Sequence, residues 1–353
     1  MIYYIKYNKN NNEHTAGPKA PTDIYDISEA LGYDKLVVNI DENRHNKIFM
    51  KFKIIKFWFS LITKLKKRDV VIYQHPTYGV KEAIKVIPVL RKYKKVRFIS
   101  VIHDLESLRR GIDSDQINDD ILDIVDSELL PLYDVIICHN DRMKNYLIAK
   151  GISKEKIIVL EIFDYLSNET FIEEADTGVA IAGNLHQGKS EYLYNLLKHN
   201  INVQFNLFGP NFNSELVQTD NIEYFGSFDP GILPGKLKGR FGLVWDGNCI
   251  ETCSGNTGNY LRYNNPHKTS LYLASGIPVL IWKEAAMAEF VEKNRVGILV
   301  DNLLNLNDVI NSVSEEEYNE MRRNARKIGE KLRDGHFYRS AIKESIRLLR
   351  ELE

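Results

Sequence analysis

The stretch PHKTSLYLASGIPVLIW, residues 266–282, sets the architecture of this 353-residue chain. Residues 268–275 read as a helix closed by Gly276, because glycine readily takes the left-handed backbone that a helix C-terminus needs. Pro278 then opens the apolar run 279–282, which reads as a buried strand. Another apolar run, 241–245, comes before, and a helix at 285–294 and a strand at 296–300 come after. Strands alternating with helices at this spacing imply a parallel sheet covered by helices.

The alternation continues toward both ends. Upstream, 178–182 and 203–208 read as strands with a helix at 191–198 between them. The N-terminal half reads as strands at 2–7, 35–39, 70–73, 96–102, 134–138 and 157–160. Helices fall at 23–31, 46–66, 80–92 and 141–150. Between the halves lies 167–177, polar and carrying four acidic residues, which reads as an interdomain linker. The end, 314–353, is helical and highly charged. A chain of this length exceeds the roughly 250–300 residues that one core serves. The expectation is therefore α/β, with two Rossmann-like doubly wound domains, 1–166 and 178–336, facing across a cleft. Ligands in such sheets bind at the carboxyl ends of the strands, so polar residues just after strands are the candidates.

Composition removes several classes. At 44% hydrophobic and 27% charged the chain is globular stock, neither disordered nor collagen-like. Lys and Arg number 47 against 48 Asp and Glu, a net charge of −1, so no global basic footprint speaks for nucleic acid. Cys138, Cys249 and Cys253 form neither a disulfide framework nor a four-ligand zinc spacing, and read as reduced thiols. The N-terminal MIYYIKYNKNNN has no basic region ahead of its apolar run and no long apolar core, so it does not read as a secretory signal. With no run of 18 uncharged apolar residues, the expectation is a cytoplasmic protein.

Four loops carry candidate chemistry. The first is Thr15-Ala16-Gly17-Pro18-Lys19, where a glycine before a helix N-terminus favours the approach of an anion; a plain turn is the alternative. The second is IHDLESLRR, 102–110. His103, Asp104, Glu106 and Arg109 follow a buried strand, where a carboxylate or imidazole suits a general base; Asp104 as a helix N-cap is the alternative. His75 follows another strand of the same half. The third is GNLHQGKS, 183–190, which matches the phosphate-loop pattern G-x-x-x-x-G-K-[ST] between a strand and a helix. Leu243-Val244-Trp245-Asp246 could serve as the matching metal-side strand of an ATPase. The fourth runs from Phe241 to the stretch quoted first. Asn264, Asn265, His267 and Lys268 crowd a helix N-terminus beside a Gly/Asn-rich loop, where donors can meet a diphosphate; capping is the alternative.

PHKTSLYLASGIPVLIW, with GLVWDG before it and AEFVEKNRVGILV after it, resembles the C-terminal half of GT-B glycosyltransferases. Together with CSGNTG, YLRYNNPHKTSLYLASGIPV and the N-terminal HDLESLR, the chain is similar to a narrower bacterial group. That group holds β-1,6-galactofuranosyltransferases and the accessory glucosyltransferases that extend glycans on serine-rich repeat adhesins. The resemblance spans roughly the whole chain.

It implies that the C-terminal half holds UDP. Lys268, Asn265, His267 and Ser270 would meet the diphosphate or ribose. Gly183, Asn184 and Lys189 would line the phosphate side, and Phe208, Gly209 and Pro210 the nucleoside. Thr15 and Gly17 would reach from the first domain. Asp104, with His103 second, would be the base, while His75, Glu106, Arg109 and Asp246 would serve the acceptor and sugar. The last helix, 337–353, would return to the first domain. A hexose would pass from a UDP-sugar to a glycan, glycoprotein or lipid-linked acceptor, with no further cofactor. Two departures stand out. Leu271 occupies the position where many GT-B enzymes carry a ribose-gripping Glu, and the paired glutamates of retaining members are missing, which favours inversion. The D-x-D triplet at Asp113 and Asp115 follows no strand and reads as surface, so no metal is expected.

The segment 47–67 is apolar, aromatic and basic. On a helical wheel Lys53, Lys56, Lys64 and Lys67 share a face of about 80°. A core helix, a homo-oligomer interface and docking on an anionic membrane at the inner face all fit it. Two other functions remain open: a P-loop ATPase or kinase on 183–190, and a non-catalytic nucleotide-sugar-binding subunit.

Overall fold

A computed structural model describes residues 1–9, 17–40, 47–76, 78–111, 125–172, 177–199, 202–217 and 219–351. The chain divides into two compact units. One comprises Met1–Glu13, Pro21–Leu160 and Tyr338–Glu353; the other comprises His14–Ala20 and Glu161–Phe337.

The first unit runs β1 (Ile2–Lys9), α1 (Lys19–Ala30), β2 (Asp34–Ile40), α2 (Lys47–Lys64), β3 (Val70–His75), α3 (Val80–Lys94), β4 (Arg97–Ile102), α4 (Glu106–Gly111), β5 (Val135–Cys138), α5 (Asp141–Ala149) and β6 (Ile157–Val159). Its six strands are parallel in the order β2-β1-β3-β4-β5-β6. The central strands are buried almost throughout, as expected of parallel strands covered on both faces. The strand order reverses between β1 and β3, and the ends of β3 and β4 carry His75 and His103. Asn140 caps α5, its side-chain oxygen accepting the Met143 amide at 2.9 Å.

The second unit continues with β7 (Val179–Ala182), α6 (Glu191–Lys198), β8 (Phe205–Phe208), β9 (Ile222–Gly226), β10 (Phe241–Val244), α7 (Gly255–Tyr260), α8 (His267–Ala274), β11 (Val279–Trp282), α9 (Ala288–Asn294), β12 (Gly297–Val300), α10 (Leu306–Asn311) and α11 (Glu315–Arg333). Its sheet, also parallel, has the order β12-β11-β10-β7-β8-β9, so the chain reverses direction across the sheet between β7 and β10. Ser314 and Glu317 form a capping box that starts α11. The last helix, α12 (His336–Glu351), groups with the first unit from Tyr338 onward, where the Tyr338 hydroxyl lies 3.0 Å from that of Ser28.

Four stretches differ from the sequence reading. Strand β9 is an edge strand with Glu223 and Tyr224 exposed, so its sequence lacks the apolar run of a buried strand. Helix α7 falls in the predicted Gly/Asn-rich loop, and its residues GNTGNY have poor helix propensity. The predicted linker is not a free tether where it is described. Ser167 donates to Gly231 O at 2.9 Å, Arg322 and Arg326 donate to Ile172 O at 2.9 Å, and the Arg333 guanidinium lies 4.0 Å from the Phe171 ring centroid. Glu161–Leu166, assigned from sequence to the first domain, belong to the second unit. Among the described residues no helix is long and apolar enough to cross a membrane.

Candidate functional site

In the second unit, the ends of β7, β8 and β10 meet the start of α8. Glycine makes the approach possible. A Cβ on Gly209, just after β8, would sit 1.8 Å from Gly183 O, just after β7. Both residues also have strongly positive φ, 136° and 144°. A Cβ on Gly183 would in turn lie 3.3 Å from Lys268 Cε. Lys268 Nζ donates to Trp245 O at 3.2 Å and to Asp246 Oδ1 at 3.1 Å. Burial pulls the Lys268 pKa down, but the Asp246 carboxylate outweighs it and holds the ammonium above its usual range. Helix α8 begins at Pro266 without a side-chain cap; the Thr269 amide bonds Pro266 O at 2.9 Å, and the positive end of the helix dipole favours an anion at this start. Beside Lys268, Asn264 Oδ1 and Thr269 Oγ1 are buried without a hydrogen-bond partner among the described residues. Below them Tyr272 anchors α8 to the sheet. Its hydroxyl accepts the Ala182 amide at 2.8 Å, and its ring lies where a Cβ on Gly242 would stand.

The first unit gathers histidines at its strand ends. His75 is fully buried, and its Nε2 lies 3.1 Å from Asp126 Oδ1. Asp126 Oδ2 accepts the Ser107 amide at 3.0 Å and the Ser107 hydroxyl at 2.5 Å. Burial acts to raise the Asp126 pKa, yet the bonds from His75 and Ser107 bring it below its usual value. Gln74 Nε2 donates to Pro21 O, and Gln74 Oε1 lies 2.6 Å from His103 Nε2, so that nitrogen carries the proton. Asp104, about one-third exposed, accepts from Arg109 at 3.0 Å. Glu106 lies 3.4 Å from Arg109 and 2.7 Å from Arg110. His139, at the end of β5, is buried against Ile102 O, and burial lowers its pKa to about 4.

Residues 2–162 match the N-terminal domain described as glucosyltransferase 3-like, and residues 179–345 match the corresponding C-terminal domain. The chain belongs to the glucosyltransferase 3-like family. It is 34% identical over 355 residues to beta-1,6-galactofuranosyltransferase WbbI of Escherichia coli (strain K12), covering 97% of this chain and 98% of that one. It is 25% identical to glucosyltransferase 3 of Streptococcus gordonii, covering 93% of each. Among solved structures, sucrose-phosphate synthase from Thermosynechococcus elongatus superposes with a TM-score of 0.65 at 14% identity, covering 99% of this chain and 98% of that one. Anabaena HepE in complex with UDP gives 0.60 at 12%, covering 98% and 99%. The fold is GT-B, and the chain is a glycosyltransferase.

Not every residue expected from sequence faces this site in the glucosyltransferase 3-like chain. Gly183, Gly209, Asp246 and Lys268 come together. Asn265, His267 and Ser270 instead hold the stretch that opens the second unit. Asn265 Nδ2 donates to Glu161 O at 3.0 Å, Ser270 Oγ donates to Phe163 O at 2.6 Å, and His267 Nε2 lies 3.3 Å from Asp164 O. The His267 ring stacks on Tyr165 at 4.9 Å, and burial lowers its pKa to about 4. Phe208 is buried and stacks on Phe225 at 4.7 Å, so it serves the core. Pro210 offers its carbonyl to the Leu185 amide at 2.9 Å.

The phosphate-loop match keeps its strand-loop-helix setting but not its chemistry. A phosphate-binding loop turns its amides toward the anion. Here the Gly183 amide bonds Phe208 O, His186 N bonds Asn184 Oδ1, Gly188 N bonds His186 Nδ1, and the Lys189 and Ser190 amides bond His186 O. Asn184 Oδ1 also accepts from Asn211, and Lys189 is exposed. Gly17 is exposed, with nothing within 4 Å of a Cβ placed on it. Thr15 and the triplet from Asp113 to Asp115 lie outside the described residues. Among the described residues no group of three His, Cys, Asp or Glu is placed for a metal ion. Asp126 was not singled out from sequence. It lies in ILDIVDSELL, where nothing local marks it, and only the fold brings it to His75.

Proposed function

We propose that this glycosyltransferase moves a hexose from a UDP-sugar to a hydroxyl of a glycan acceptor with inversion and without a metal. The observation that carries the reading is Lys268. Its ammonium is held by Trp245 O and Asp246 at the uncapped start of α8, where the sheet reverses its strand order. A diphosphate there would meet a fixed positive charge and helix amides, which stabilise the leaving group in place of a metal. The match to a protein titled as a complex with UDP supports uridine as the nucleoside.

Asp104 is the base in this reading, oriented by Arg109. The acceptor oxygen attacks the anomeric carbon and its proton passes to the Asp104 carboxylate. The bond from that carbon to the β-phosphate oxygen breaks, and UDP leaves with the electron pair. UDP-hexoses are α-configured, so one displacement gives a β product, as in the printed name of the E. coli relative. Glucose and galactofuranose are the donor sugars that the relatives' names support. The acceptor is a cell-surface glycan precursor on protein or lipid, met at the cytoplasmic side.

The test is release of UDP from UDP-glucose and from UDP-galactofuranose in the presence of a chelator, with candidate acceptors. Turnover of one donor that Lys268→Ala abolishes supports the reading. UDP binding without transfer or hydrolysis of any donor would instead make the chain a nucleotide-sugar-binding subunit.

A further inference from the structure

Helix α2 (Lys47–Lys64) serves the core with only one side. Ile54, Trp58 and Leu61, with Leu65 just beyond, are buried and fall within about 60° of one another around the helix axis. The opposite side carries Ile48, Phe49, Phe52 and Phe59, which are 89%, 57%, 61% and 49% exposed. Ile48, Phe52 and Phe59 lie within about 40° of one another, with Lys56 next to them. Lys53 Nζ lies 4.7 Å from the Phe49 ring centroid. From Lys47 to Arg68 the chain has eight basic residues (Lys47, Lys51, Lys53, Lys56, Lys64, Lys66, Lys67 and Arg68) and no acidic one, although its overall net charge is −1. Helix α3 packs beside α2 and adds exposed Lys81, Lys85, Lys92 and Tyr93.

We propose that this face of α2 is a docking surface for an anionic lipid bilayer. Both halves of its chemistry fit that occupant. Aromatic and branched side chains enter the boundary between headgroups and acyl chains, while the lysines beside them remain at the phosphates. A second copy of the chain fits poorly, because pairing the face with itself would bring Lys53 and Lys56 of both copies together with no carboxylate from either α2 segment. An acidic protein surface would answer the charge but leave a row of exposed phenylalanines without an apolar partner. The proposal does not rest on the reaction assigned above, and its test reads binding alone.

The experiment is co-sedimentation of the full chain with vesicles of phosphatidylcholine alone and of an equimolar mixture with phosphatidylglycerol. The chain should pellet with the anionic vesicles and stay in solution with the neutral ones. Neutralising one lysine, as in Lys56→Gln, should lower partitioning about fivefold, and Lys56→Gln with Lys64→Gln should lower it further. Phe52→Ser with Phe59→Ser should lower it as well, with the protein still folded at the assay temperature because neither ring is buried in the core. Equal recovery with both vesicle types would overturn the proposal, as would unchanged partitioning of the phenylalanine variant. A dimer that this variant converts to monomer would also overturn it, as would binding of a single-stranded oligonucleotide in preference to vesicles.

Discussion

Lys268 holds its ammonium at the end of β10, paired there with Asp246. Asp246 and Trp245 O fix its Nζ, and Gly183 leaves room for its stem. Replacing it with Ala should remove one charge-assisted contact to a diphosphate, worth about 1.5–3 kcal/mol, and weaken UDP at least about tenfold by titration calorimetry. Asp104→Asn should act differently. UDP affinity should hold, while turnover should fall by about 10²–10⁴-fold if the carboxylate takes the acceptor proton. His139 gives a stability prediction. Burial lowers its folded pKa to about 4 from 6.5, so the unfolded chain binds more protons between those values. Its contribution is present above pH 6.5 and is lost as pH falls toward 4, by about 3 kcal/mol in all. Denaturant melts between those pH values should show a shallower dependence in His139→Gln. Lys268 was legible in sequence because it stands at a helix start between two apolar runs. Asp126 was not, because its partner His75 lies 51 residues away along the chain.

At the scale of elements, loops with similar sequence signals have different outcomes. The stretch 183–190 has the letters of a phosphate loop, yet its amides close on themselves and on β8. Lys189→Ala should therefore leave UDP affinity unchanged and should abolish no binding of ATP with Mg²⁺. A measurable loss of nucleotide in that variant would sink this description of the loop. The α8 start has no such motif, yet it holds the fixed ammonium. A pattern of residue types records spacing but not where amides point, and that depends on which neighbouring strand accepts them. Strand positions were legible because parallel strands buried on both faces are runs of Val, Ile, Leu and Phe. The edge strand β9 and the glycine-rich helix α7 lack that signal. So did the contacts of 167–172, which come from arginines about 150 residues later. The contact between Gly183 and Gly209 can be tested directly. Gly209→Ala should cost about 2–4 kcal/mol in chemical denaturation, since its Cβ would collide with a carbonyl and its φ is left-handed.

Over the whole molecule, two parallel sheets with different strand orders each present polar groups where the order reverses. The second unit offers a fixed ammonium at the start of a helix, which suits a phosphate. The first offers a carboxylate and histidines, which suit proton transfer. The fold class was readable from apolar runs and a few glycine and proline positions, and the family from the resemblance carried by PHKTSLYLASGIPVLIW and HDLESLR. The division of labour among Asn265, His267, Ser270 and Lys268 was not, because four neighbouring polar residues look alike until the partner carbonyls of 161–164 are placed. The central claim is that the second unit binds UDP through Lys268 without a metal. Titration calorimetry of UDP into the chain in excess chelator, with Lys268→Ala alongside, tests it most directly. The account predicts binding by the parent chain and a loss of about tenfold or more in the variant. It would be contradicted by undetectable binding of UDP, or by equal affinity in the two proteins.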